Sequence, residues 1–309
     1  MQESKPKLLI LLGPTACRKT YYSLLLAQQH NAEIISADSM LIYKHLDIGT
    51  AKPSKKEQLK IPHHMIDVIN PDEYFSAKDF EIAVDKIISD IHKRGKSIIV
   101  VGGTGFFIKA LTHGLFDLPK DHLFEIREKL EMEDTEKLYE RLIVIDPEKA
   151  RVIHHHDRFR IIRALEVFDL TGKPISEFQH EHAYNKKKYQ YIKMGLFLER
   201  PVMYEAINNR VDHMMHSGLE DEVRKLLAMG YGKQHKPLAC FAYSYFIDAC
   251  KHGISLREAL EKTKQETRKF AKRQMTWYKK DKEIHWFHAI KDEKNILKCC
   301  NDFFKGGIS

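Results

Sequence analysis

Along the first hundred residues, short unbroken apolar runs alternate with stretches in which apolar side chains return every three or four positions. Residues 8–12 read Leu-Leu-Ile-Leu-Leu, and residues 97–101 read Ser-Ile-Ile-Val-Val. Apolar runs this short, each followed by glycine, suit strands covered on both faces. Residues 33–37 read as a second strand, ending at Asp38. Residues 19–29 and 80–93 carry helical periodicity instead. Strand and helix in alternation predict an α/β fold with a parallel sheet and helices on both faces. Ligands of such sheets sit beyond the carboxyl ends of the strands, where the loops after Leu12, Ala37 and Val101 would converge.

From Pro119 to Lys187 the strand pattern fades. Charged helical segments take over at residues 121–131, 135–145 and 158–171, so a helical insertion is expected there. Residues 191–198 resume a strand pattern, and helices are expected at 203–216, 219–229 and 255–280. The expected organisation is a catalytic core of residues 1–118 and 188–309, interrupted by an insertion at 119–187.

Composition changes this picture little. The chain has 309 residues, 43% hydrophobic and 30% charged, enough for one large globular domain carrying an insertion. The longest apolar runs are far too short to span a membrane. Residues 1–7 hold no apolar signal segment, which points to a cytoplasmic protein. Five cysteines without a CxxC pair do not make a disulfide framework, and Cys299 and Cys300 read as incidental residues in a polar tail. The excess of 51 Lys+Arg over 43 Asp+Glu, net +8, hints at a polyanionic partner.

The loop after the first run carries sharper chemistry. Gly13-Pro14-Thr15-Ala16-Cys17-Arg18-Lys19-Thr20 has the spacing G-x-x-x-x-G-K-T, between a strand and a helix. In such a phosphate loop, backbone N–H groups and a helix N-terminus cradle an anion. Lys19 would contact the phosphate oxygens, and the Thr20 hydroxyl would hold Mg²⁺. Arg18 stands where the second glycine belongs. Its side chain either blocks the loop, folds outward, or adds a phosphate contact. The expected fold is thus a phosphate-loop NTPase-like parallel sheet flanked by helices.

Asp38 would face the same crevice, as general base or as a water-mediated Mg²⁺ partner, unless it merely caps the next segment. Thr104, in Gly102-Gly103-Thr104-Gly105, is open to the same pair of readings. On these residues alone a small-molecule kinase fits as well, since the loop does not say whose phosphates it holds.

Further blocks narrow the choice. Asp38-Ser39-Met40-Leu41-Ile42-Tyr43-Lys44, Asp47-Ile48-Gly49-Thr50-Ala51-Lys52-Pro53 and Pro62-His63-His64-Met65-Ile66-Asp67 stand in order, and then comes the Gly102–Gly105 block. Arg163-Ala164-Leu165-Glu166-Val167-Phe168, Thr171-Gly172-Lys173 and Thr267-Arg268-Lys269-Phe270-Ala271-Lys272-Arg273-Gln274-Met275-Thr276-Trp277 complete the series. Together they resemble the tRNA dimethylallyltransferase (isopentenyltransferase) family over nearly the whole chain. That resemblance implies transfer of a dimethylallyl group from dimethylallyl diphosphate to the exocyclic amine of the adenosine 3′ of the tRNA anticodon. It implies a base flipped into a channel through the core, Asp38 as general base and Thr104 beside the reacting amine. Residues Gly13 to Thr20, Arg210 and Mg²⁺ would hold the diphosphate. The insertion would clamp the anticodon stem-loop. The positions matching tRNA contacts are Asp38, Ser39, Met40, Leu41, Thr104, Arg127, Phe159, Arg160, Arg163, Lys272, Arg273 and Gln274.

The last long helix can also be read alone. Arg268, Lys269, Lys272, Arg273, Lys279 and Lys280 fall within an arc of about 140° at 100° per residue. Leu256, Ala259, Leu260, Phe270, Ala271, Trp277 and Tyr278 fall opposite, so one side should pack while the other meets phosphates. His154-His155-His156-Asp157 is read as no metal site, because consecutive residues do not share a face. Besides Arg18, the chain departs from the family pattern at Ala206, where arginine is usual, and at Ala242 and Ser244, where glycine and a basic residue are. These changes leave open a catalytically impaired tRNA-binding paralogue. No dimerisation signal is visible, and a monomer is the default expectation.

Overall fold

The computed structural model describes residues 5–116, 122–181 and 188–306. The expected insertion start at Pro119, the helix start at Asp121 and Lys186–Lys187 lie outside them. The chain divides into two compact units, residues 1–112 with 188–309, and residues 113–187.

In the first unit, β1 (Lys7–Leu12) leads to α1 (Lys19–Gln29), β2 (Ala32–Ser36), α2 (Lys55–Lys60), β3 (His63–His64), α3 (Ala77–Lys93), β4 (Ser97–Gly102) and α4 (Gly105–His113). The second unit holds α5 (Leu123–Met132), α6 (Thr135–Ile145), α7 (Pro147–Val152), α8 (Arg158–Thr171) and α9 (Ile175–Glu181). The chain then returns through β5 (Gln190–Phe197), α10 (Arg200–His216), α11 (Leu219–Ala228) and α12 (Phe241–Lys251). It ends with α13 (Leu256–Tyr278), β6 (Ile284–His288) and α14 (Glu293–Lys305).

All six strands are parallel, in the order β3-β2-β4-β1-β5-β6. The α/β reading is therefore correct. The central β1 is buried along residues 8–12, as an unbroken apolar run demands of a strand covered on both faces. Its Leu9 and Leu11 pack with Ile34, Ile99, Met194 and Leu196 against Tyr22 and Leu26 of α1 and Ile207 of α10. The second unit has its own core, in which Leu130, Leu138, Leu142, Ile161 and Leu165 meet.

Several elements escaped the pattern. The Ser76/Asp79 capping box starts α3 three residues before the periodicity becomes visible. A second box at Ser54 and Glu57 founds the six-residue α2, too short to show a period. The polar tail is a correction: β6 extends the sheet beside β5, and α14 buries Ile296, Cys300 and Phe303 on the core. Cys300 is a packing residue, inert because burial pushes its thiol up to about 12.

Candidate active site

The loops after β1, β2 and β4 meet at the carboxyl edge of the sheet. Gly13 opens the first at φ +141°, and a side chain there would strike the Leu196 carbonyl of β5. Ala16 (φ 64°) and Arg18 (φ 59°) take left-handed backbone on either side of Cys17. Cys17 turns its side chain into the core, so any part it has in the loop falls to its main chain.

Arg18 keeps a conformation that suits glycine, and its guanidinium folds outward over the ring of Tyr21, 4.7 Å from the centroid. Of the three possibilities for this residue, the structure takes the outward one. A left-handed non-glycine residue costs about 1–2 kcal/mol, while an exposed cation–π contact returns about 0.5–1 kcal/mol. Arg18→Gly is therefore expected to change unfolding free energy by less than about 1 kcal/mol, read from urea midpoints. A loss above about 2 kcal/mol would mean the arginine supports the loop in some other way.

Lys19 points its ammonium at the Gly13 and Pro14 carbonyls, at 2.9 and 2.7 Å. Burial lowers its pKa to about 8, and Asp38 partly opposes the shift. The Thr20 side chain is exposed at the start of α1, and its hydroxyl has no hydrogen bond among the described residues. A hard oxygen donor in this position fits Mg²⁺, which takes one or two protein ligands and fills its shell with water and substrate phosphates. Among the described residues no group of three His, Cys, Asp or Glu is arranged to hold a metal by itself.

Asp38 follows β2. Its Oδ1 accepts the Met40 N–H at 2.9 Å, which aims the carboxylate back over the crevice. Thr104 faces it from the end of β4: its Oγ1 accepts the Ser39 N–H at 3.0 Å and donates to the Ser39 hydroxyl at 3.2 Å. Gln274 of α13 joins the two glycine loops. Its Oε1 accepts the Thr15 N–H and its Nε2 donates to the Gly103 carbonyl, each at 2.9 Å.

Arg210 of α10 donates to the Thr50 carbonyl at 3.1 Å, and burial lowers its pKa against the pull of Asp38. It lines a cavity of about 350 Å³ with Asp47, Lys52, Gln58, Met214 and Ser217. The Asp47–Pro53 loop beside it is held by Glu222, which sequence reading missed. This carboxylate accepts the N–H groups of Asp47, Ile48 and Gly49 and the Tyr243 hydroxyl. Lys52, nearly fully buried, binds the Tyr43 carbonyl and pairs with Asp47 and Asp67. Nothing local in the sequence marks Glu222, since the loop it holds lies more than 170 positions away.

The residues expected at tRNA divide. On α13, Lys272 and Arg273 are exposed, as are Lys279 and Lys280. Gln274 differs from them: it is 7% exposed, and its amide bridges Thr15 and Gly103. Arg268 is likewise tied to Asn208 at 2.6 Å. Trp277, expected to be packed, is 47% exposed, although its indole covers Gly105. In the second unit Phe159 is exposed, with the Arg127 guanidinium 5.5 Å above its ring. Arg127 and Arg163 both reach the buried Glu166, and Arg160 pairs with Asp157. The rings of His154 and His155 stack, with centroids 4.4 Å apart, and His156 sits tilted against His155 at 4.0 Å.

Comparison with known proteins agrees with this geometry. The family model for IPP transferase matches residues 41–281. Among curated proteins, tRNA dimethylallyltransferase 2 of Syntrophus aciditrophicus (strain SB) is 45% identical over 308 residues, 98% of each chain. Among solved structures, the tRNA delta(2)-isopentenylpyrophosphate transferase of Staphylococcus epidermidis aligns with TM-score 0.72 at 36% identity, over 98% of this chain and 99% of that one. A eukaryotic dimethylallyltransferase acting on tRNA aligns with TM-score 0.85 at 28% identity, over 97% of this chain and 80% of that one. A family-model match over most of the chain, and relatives this similar from end to end, make the chain a member of the IPP transferase family.

Proposed function

We propose that the protein transfers a dimethylallyl group from dimethylallyl diphosphate to the exocyclic amine of the adenosine 3′ of the anticodon in tRNA. The observation that carries this is the pairing of a phosphate loop with Asp38 and Thr104 across one crevice, in a chain so like tRNA dimethylallyltransferases throughout its length.

The chemistry comes from the residues. The adenosine amine attacks C1 of the allyl group; the N–C bond forms as the C–O bond to diphosphate breaks. Asp38 takes the proton released from the amine. Thr104, locked by Ser39, borders the place where that amine must sit. Negative charge grows on the leaving diphosphate, and Lys19 and Arg210 are preorganised to receive it. The Thr20 hydroxyl would hold Mg²⁺, which would add charge neutralisation at the diphosphate. The insertion and the exposed Lys272 and Arg273 would grip the anticodon stem-loop through its phosphates. On this reading the protein acts as a monomer in the cytoplasm.

Purified protein with Mg²⁺, dimethylallyl diphosphate and tRNA lacking the modification should yield prenylated adenosine in digested nucleosides, seen by mass spectrometry. Intact tRNA binding with no prenylated nucleoside would sink the assignment.

A pH dependence arises from Lys19. Its pKa in the free protein, about 8, lies below the ordinary lysine value, so the amine is neutral in the folded protein above that pH. Its burial therefore opposes folding below pH 8, and the cost fades as pH rises toward the unfolded value. A bound diphosphate stabilises the ammonium, so above about pH 8 its binding is coupled to uptake of a proton by the Lys19 amine. Donor affinity should accordingly weaken about tenfold between about pH 8 and pH 9.5, checked by calorimetry in buffers of different ionisation heat. A flat affinity across that window would mean Lys19 does not meet the diphosphate.

A further inference from the structure

Prenyl transfer through Asp38, Thr104, Lys19 and Arg210 makes no use of the hydroxyl of Tyr278. Tyr278 closes α13 one helical turn beyond Gln274, the residue that joins the phosphate loop to Gly103. Its side chain is 3% exposed, and its hydroxyl has no hydrogen-bond partner among the described residues. Buried polar groups are nearly always paired, so an orphan beside a substrate crevice marks a place where a ligand supplies the partner. Burial, and then the charge of Asp38, push its ionisation well above the ordinary tyrosine value. The proton therefore stays on the oxygen, and the group is a neutral donor close to Asp38.

The proton of the Thr104 hydroxyl is already committed. Thr104 Oγ1 accepts from the Ser39 N–H and donates to the Ser39 hydroxyl. Adenine presents on its pairing edge a donor, the exocyclic amine, beside an acceptor, the ring nitrogen N1. Asp38 is an acceptor and suits the amine. The remaining need is a neutral donor beside it. We propose, building on the prenyl-transfer reading, that the Tyr278 hydroxyl donates a hydrogen bond to N1 of the acceptor adenine while Asp38 engages the neighbouring amine. Tyr278 is then a specificity-determining residue. Guanine carries a proton on N1 and would set donor against donor, leaving both unpaired in a buried site.

The test uses the full-length protein, Mg²⁺, dimethylallyl diphosphate and synthetic anticodon stem-loops with adenosine or 1-deazaadenosine at the target position. The second base keeps the amine and replaces N1 with a C–H. Wild-type protein should lose about tenfold in kcat/KM on the deaza substrate, as expected for one hydrogen bond. Tyr278→Phe should lose about the same on adenosine and show no further loss on the deaza base. A merely structural tyrosine would give a variant whose defect is the same for both bases, with the wild-type sensitivity to N1 retained. That pattern overturns the proposal, as does a wild type indifferent to the deaza substitution, which decides the matter even if the variant folds poorly. A wild type that prenylates neither stem-loop would instead overturn the prenyl-transfer reading and this inference with it.

Discussion

Asp38→Asn is expected to lower the single-turnover rate of prenyl transfer by about 10³-fold, the middle of the range for loss of a general base, with the fold unchanged. The carboxamide has the size of the carboxylate, and its oxygen can still accept the Met40 N–H that orients the side chain. The Thr104–Ser39 pair makes no hydrogen bond to it and should stay in place. What disappears is the capacity to take a proton from the attacking amine and the negative charge facing Lys19 and Arg210. Rapid-quench measurement on an anticodon stem-loop gives the rate, and thermal melting gives the fold. A variant within about tenfold of the wild-type rate would remove Asp38 from the role of base.

The second large effect concerns Gly102. An added Cβ at this residue would lie 2.1 Å from the carbonyl oxygen of Ala37 and 2.4 Å from its carbon. Those atoms belong to main chain held in the sheet: Ala37 N–H donates to the Val101 carbonyl, and Ala37 O accepts from the Thr104 N–H. Neither side can yield by turning a side chain. Gly102→Ala is expected to cost about 3 kcal/mol, the upper end of the range for overpacked contacts, and to displace Asp38 from its place facing Thr104. Gly95→Ala is the control. Gly95 has φ +66° and nothing within 4 Å of an added Cβ, so only the left-handed backbone penalty of about 1 kcal/mol applies. Urea midpoints for the two variants should differ accordingly. Equal midpoints would show that β2 and β4 have room to part at their carboxyl ends.

Much of the fold could be read because its signals are local. The apolar runs at β1, β2 and β4 and the loop from Gly13 to Thr20 state strand, turn and helix within a few residues of one another. Elements such as β3 and β6 gave no such signal. β3 has two residues, and β6 mixes His285 and His288 into its apolar positions; each exists because a neighbouring strand offers a hydrogen-bonding edge. α14 is strongly amphipathic, yet its many polar residues obscured a buried face that becomes clear only where the core receives it.

The candidate site divides in the same way. Asp38, Thr104, Lys19 and Thr20 are candidates from motif and resemblance, because loop chemistry at strand ends is written in consecutive residues. The fate of Arg18 was not, since the direction of a guanidinium depends on Tyr21 standing one turn along α1. Nor was the clamp by Glu222, the bridge by Gln274 or the unpaired hydroxyl of Tyr278. Sequence alone determined the class of fold, the strand–loop–helix around Gly13 to Thr20 and the family, because each rests on order and spacing along the chain. The tertiary structure alone decided which of those side chains remain available to a substrate. Availability depends on partners brought from distant elements, and burial raises the cost of leaving any polar group without one.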